Sequence, residues 1–187
     1  MKTSFLRAAL PTALIAFSLS IAEARAGDLQ LDVAAGGQAS TWRGDGGGFT
    51  SLQLGYRFAD IAAPYFLGRL GYSVVDSRML MMVALGAQLW GRLGNTRPYA
   101  RIAFVHQHEE PMPAMEADPL GAMVGVGDGI RHRFGFEGGL GLDVPFYRSG
   151  AWELHGRFEG LCTGFPDPRG PAIYGGGTAG LGFNYGI

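Results

Sequence analysis

His106 and His108, with Gln107 between them and Glu109 and Glu110 behind, are the residues of this chain best suited to hold a metal ion. In an extended segment the side chains at i and i+2 project to the same side, so the two imidazoles would stand close enough to chelate one ion. Met112, Met115, Glu116 and Asp118 follow closely. Thioethers and carboxylates alongside imidazoles suit zinc or copper. His132 would return near the same level on the following segment. A His-x-His pair by itself does not specify a third ligand. Its plain alternative is a pair of polar residues marking where a strand ends.

A second set of residues is spread along the chain: Asp32, Arg57, Arg69, Arg101, Arg133, Glu137, Glu153, His155, Arg157 and Glu159. Each alternates with apolar neighbours, so the set shares one face of a sheet. If that face is enclosed, the charges must be paired or hydrated, because burying an isolated charge costs several kcal/mol or more. A structural ion-pair network is the first expectation, with Arg133 and Arg157 neutralising carboxylates such as Glu137 and Glu159. A gated polar path for small solutes is the alternative, and His155 could then respond to pH. A serine hydrolase reading would use Ser77, beside Asp76, approaching His106 in space. Nucleophile, base and orienter are not all present, so no catalytic residue is assigned.

The elements that must position these residues are strands. Eight segments alternate apolar and polar residues: 29–41, 49–58, 65–75, 79–93, 99–108, 131–144, 151–163 and 172–187. In the sixth, Phe134, Phe136, Leu140, Leu142 and Val144 alternate with Arg133, Gly135, Glu137, Gly139, Gly141 and Asp143. Gly94-Asn95-Thr96-Arg97 reads as a tight turn, 145–150 as another, and 166–171 as a rigid loop. The connection 109–130, rich in Pro, Met, Gly and acids, is too long for a simple hairpin and reads as a mobile recognition loop.

Alternation does not say which face is inside, and a soluble lipocalin-like barrel would turn its apolar face inward around a ligand. Segments close to 10 residues long suit a tilted membrane crossing. Aromatics near segment ends (Tyr56, Phe58, Phe66, Trp90, Trp152, Tyr185) suit interfacial girdles. The polar faces, rich in glycine and balanced charge, suit a crowded lumen. The last segment, AIYGGGTAGLGFNYGI, is strictly alternating and apolar, a liability at an open sheet edge that closure with the first strand removes. The expected fold is therefore all-β, an eight-stranded antiparallel transmembrane up-and-down β-barrel.

Residues 1–26 read as a signal peptide: Lys2 and Arg7, a mostly apolar stretch from Ala8 to Ile21, and the small-x-small site Ala24-Arg25-Ala26. Residues 27–187 are then one barrel domain. Only 17% of the residues are charged and the net charge is −1, which leaves no basic patch for nucleic acid. The single cysteine, Cys162, makes no internal disulfide. Lys2 is the only lysine, so the cations of the barrel are arginines, which stay charged and pair bidentately away from bulk water.

Gly180, Phe183 and Tyr185, with Ile187 where a terminal Phe is usual, resemble the C-terminal assembly signal of bacterial outer-membrane proteins. With the eight segments and the signal sequence, the chain resembles the OmpA/OmpX-type family of small outer-membrane barrels over nearly its whole length after residue 26. The resemblance implies location in the bacterial outer membrane, surrounded by its lipid and lipopolysaccharide. It also implies termini in the periplasm and connections 42–48, 76–78, 109–130 and 164–171 facing outward. It does not imply an activity, because such barrels serve unrelated functions. The expected role is structural, or surface recognition of an extracellular protein or glycan through the long loop, with no cofactor unless the His106–His108 pair anchors zinc or copper. A lipid A-modifying enzyme and a narrow pore are the alternatives. Lipid A deacylases place His and Ser two positions apart on one strand, and here the second position is His108.

Overall fold

The computed structural model describes residues 27–75, 77–167 and 173–187. The proposed signal peptide, Asp76 and most of the 166–171 loop lie outside the described residues. Each alternating segment becomes a strand: β1 (Asp28–Ala39), β2 (Gly46–Arg57), β3 (Ala62–Ser73), β4 (Arg78–Trp90), β5 (Arg97–Pro111), β6 (Arg131–Ser149), β7 (Trp152–Gly164) and β8 (Ile173–Gly186). Two short helices, α1 (Met112–Ala117) and α2 (Pro119–Met123), lie between β5 and β6. The strands pair antiparallel in chain order, and β8 returns to β1 from Asp28↔Gly186 to Ala39↔Gly175. Closure leaves the apolar C-terminal strand no open edge.

Three local expectations are corrected. β5 does not end at His108: alternation carries it through Glu109 and Glu110 to Pro111, and the helices order the next residues, so 109–130 is not one mobile loop. β6 does not turn at Pro145. The ladder to β7 slips between Pro145 and Tyr147, a bulge that accommodates a residue without an N–H, and the strand continues to Ser149. Trp90 joins no interfacial girdle, because it is buried in the lumen with its indole N–H donating to Asp143 (2.9 Å).

The two faces settle the choice between a soluble and a membrane barrel. Leu85, Ile102 and Leu140 point outward and are 66%, 64% and 70% exposed, whereas Arg133 and Glu137 point inward and are each 1% exposed. That is the reverse of a water-soluble protein and the arrangement of a strand sheet surrounded by hydrocarbon. Trp152 packs on Phe183 and Tyr185 (centroids 4.6 and 4.5 Å), and Tyr56 on Phe58 (4.6 Å), at the end of the barrel where Asp28 pairs with Gly186. These rings are placed as a membrane-interface girdle requires. The lumen is not wholly polar: Tyr65, Leu67, Met82, Ala84, Ala103, Val105, Phe165 and Tyr174 form a buried apolar cluster. Gly182 lets β8 approach closely, since any Cβ there would collide with His155 and Asp32.

Candidate functional site: a plugged lumen and a histidine cluster on the rim

All ten charged residues assigned to the inner face do face inward, and the structure links them in tiers. At the end of the barrel where Asp28 pairs with Gly186, Arg57 pairs with Asp28 and, at 3.3 Å, with Asp60, while Arg97 and Arg148 both hold Glu153. In the next tier Arg157 bridges Asp32 (2.6 Å) and Asp143 (2.9 Å), with His155 Nε2 lying 3.2 Å from Asp32. Above it Glu137 accepts two hydrogen bonds from Arg69 (2.6 and 2.9 Å), one from Arg101 (2.7 Å) and one from Thr163 (2.6 Å). Arg101 also holds Glu159. At the far rim Glu109 joins Arg78, Arg131 (3.2 Å) and Arg133 (2.9 Å), while Arg78 reaches Asp45 (3.0 Å).

The expected partners of two cations were wrong. Arg133 pairs with Glu109 rather than Glu137, and Arg157 with Asp32 and Asp143 rather than Glu159. Asp143 stands directly opposite Arg157 in the β6–β7 ladder and Glu109 is the diagonal neighbour of Arg133 in the β5–β6 ladder, so strand register sets these pairs, whereas Arg157–Asp32 and Arg69–Glu137 join strands that are not paired, where the stagger of the closed barrel decides which tiers meet. Asp45, Arg78, Arg97, Glu109 and Asp143 belong to the network and were missed. For Glu109 a signal existed: it continues the parity of Arg101, Ala103, Val105 and Gln107. Mid-barrel space among Asp32, Gln53, Arg101, Arg157 and Glu159 amounts to about 10 Å³, no more than one water-sized probe occupies.

His106 and His108 face outward, on the lipid-facing side of β5, and β6 brings His132 opposite His108. One ring nitrogen from each of the three lies within 4.8 Å of the others. His132 Nδ1 is 3.3 Å from His106 Nε2, and His106 stacks on Phe134 (4.4 Å, 8°), which fixes its plane. Glu110 sits on the same parity, fully buried, 3.8 Å from His108 Nδ1. Among the described residues, neither of its carboxylate oxygens nor that ring nitrogen has a hydrogen-bond partner. Gly125, at φ +78°, passes so close to His108 that a Cβ would strike its ring. The connection after α2 thus folds over the cluster. Glu116 and Asp118 are not in the three-histidine group. Ser77 does not approach His106: Val83 is opposite His106, and Ser77 lies six residues before Val83, roughly 20 Å away at strand rise.

Comparison with protein-family models and with curated protein sequences returned no match. Among solved structures, Neisserial surface protein A aligns with a TM-score of 0.57 at 14% identity, covering 88% of this chain and 99% of that one. The outer membrane protein OprG from Pseudomonas aeruginosa aligns with a TM-score of 0.51 at 12% identity, covering 87% and 98%. Identities this low carry the architecture and not the chemistry of any site. The fold of this chain is that of the small eight-stranded outer-membrane β-barrels.

Proposed function

We propose that this chain is an outer-membrane barrel whose lumen charges hold the wall together and whose outer rim binds zinc or copper through His106, His108 and His132. The single supporting observation is the convergence of three ring nitrogens within 4.8 Å. Tetrahedral zinc at about 2.0–2.1 Å from nitrogen needs ligand nitrogens roughly 3.4 Å apart. The His106–His132 pair already has 3.3 Å between them. Three protein ligands leave a fourth position for water or an external ligand. Metal-stripped protein refolded in detergent should bind one zinc or copper ion per chain by titration calorimetry. His106→Ala/His108→Ala should abolish binding. Equal binding by parent and double variant would refute the proposal.

Surface recognition by the β5–β6 connection is the second reading, favoured by the exposure of Leu120, Val124 and Val126 beyond the barrel wall. Its partner would be lipopolysaccharide, an extracellular protein or a glycan. A variant lacking 112–129 that keeps all surface binding of the parent would remove this reading.

A further inference from the structure

We infer that the histidine cluster is a hydrolytic centre that acts, with its metal bound, on the acyl ester of a zwitterionic glycerophospholipid whose chain lies in an adjoining groove; this rests on the metal reading above. The groove follows from the register. Val33, Leu52, Gly68, Val83 and His106 lie opposite one another across β1 to β5, so they form one row on the outward face. Thr50, Leu70, Met81 and His108 form the next row towards the rim. Gly68 has no side chain, and a Cβ built there would meet nothing within 4 Å. The gap is the middle of a depression of about 410 Å³ that ends at His106 and His108 and includes Met123 of α2. Four strand spacings of about 4.8 Å make it roughly 19 Å long.

Its walls are apolar and it opens on the lipid-facing surface, continuous with the belt that meets hydrocarbon, so its occupant is an acyl chain. The histidines stand where that belt ends: Ile102, Phe104 and Phe136 lie below them, and Pro111 ends the strand just beyond. Lipid esters are found at this boundary between hydrocarbon and headgroup. Thr50, Leu70, Met81, Met123 and Phe134 beside the cluster are uncharged and Glu110 next to His108 is an acid, so none of these residues offers a cation to a multiply phosphorylated headgroup, which favours a zwitterionic one.

The chemistry balances without an electron acceptor. A metal held there would acidify a water in its fourth position, and that water would give its proton to solvent. Its oxygen bonds to the ester carbonyl carbon, the bond from that carbon to the glycerol oxygen breaks, and the glycerol oxygen takes up a proton from solvent. One water is consumed, and a fatty acid and a lysophospholipid are released. Glu110 is a positioning residue: its unpartnered carboxylate beside His108 Nδ1 can orient that ring while the other ring nitrogen binds metal.

The test uses full-length barrel refolded into phosphatidylcholine vesicles, with and without added zinc, reading bound zinc and released fatty acid by mass spectrometry. The expected result is zinc-dependent release, reduced at least tenfold in Gly68→Leu, a change that fills the groove and leaves zinc binding and heat-modifiable gel mobility intact. Glu110→Gln should weaken zinc binding on the order of 10–100-fold, with partial recovery in Glu110→Asp; unchanged zinc affinity in Glu110→Gln would overturn its positioning role. Zinc bound without fatty-acid release would overturn the hydrolytic assignment and leave the metal reading standing. Absence of zinc binding would overturn both. Release from lipopolysaccharide vesicles but not from phosphatidylcholine would overturn the assignment of the substrate.

Discussion

Glu137→Gln gives the most direct test of the lumen as a structural plug. Glu137 is 1% exposed and receives four hydrogen bonds, three of them from two arginines. The change removes the charge but keeps the shape. Arg69 then loses the carboxylate it chelates, whereas Arg101 keeps Glu159. Removing one partner of a buried pair costs about 3–5 kcal/mol. Arg69→Met is expected to cost less, because Glu137 keeps Arg101 and Thr163. The double variant should cost less than the sum of the two, with a coupling of about 1–3 kcal/mol for residues in one network. Urea unfolding of the barrel in lipid vesicles, followed by tryptophan fluorescence, measures each value. At an m-value of about 2–3 kcal/mol/M the Glu137→Gln midpoint should fall by roughly 1–2 M. A midpoint within about 0.3 M of the parent, together with a new ion conductance, would refute the structural role and favour a gated path.

The parent itself should show no steady single-channel conductance in planar bilayers, since mid-barrel space is about 10 Å³; stepwise conductance would contradict a plugged lumen. Leu140→Arg, on the outward belt and 70% exposed, should destabilise the barrel by about 2–4 kcal/mol, measured by the same unfolding assay, if it lies near the bilayer midplane. A cost below about 1 kcal/mol would place that residue at an interface instead. Gly182→Ala should disturb the His155–Asp32 contact and lower the unfolding midpoint, because its Cβ would collide with both; an unchanged midpoint would show that the lumen yields there. Cys162 is exposed on the outer face of β7 and should react in vesicles with a membrane-permeant maleimide far faster than with a charged thiosulfonate. Equal rates would take that face out of the lipid.

The strand pattern was legible because it is local. A period of two in residues such as Phe134–Val144 and Thr178–Ile187 follows from pleat geometry alone, and it separated the future lumen residues from the future lipid-facing ones. Alternation ran on through Glu109 and Glu110, but Pro111 and the acids after it resembled a loop, so the strand's length was underread. What the sequence by itself determined was therefore the strand count, the membership of each face and the inward position of all ten charges. Tertiary structure decided which of those charges meet. Glu137 finds Arg69 because barrel closure and stagger set heights across the lumen, whereas Arg101–Glu137 and Arg133–Glu109 are diagonal neighbours that meet through the β5–β6 register, which the length of the connection between those strands does not encode. The same non-local register added His132 to His106 and His108, buried Glu110 beside them, and aligned Gly68 with Val83 and His106 so that one missing side chain became a groove ending at three imidazoles.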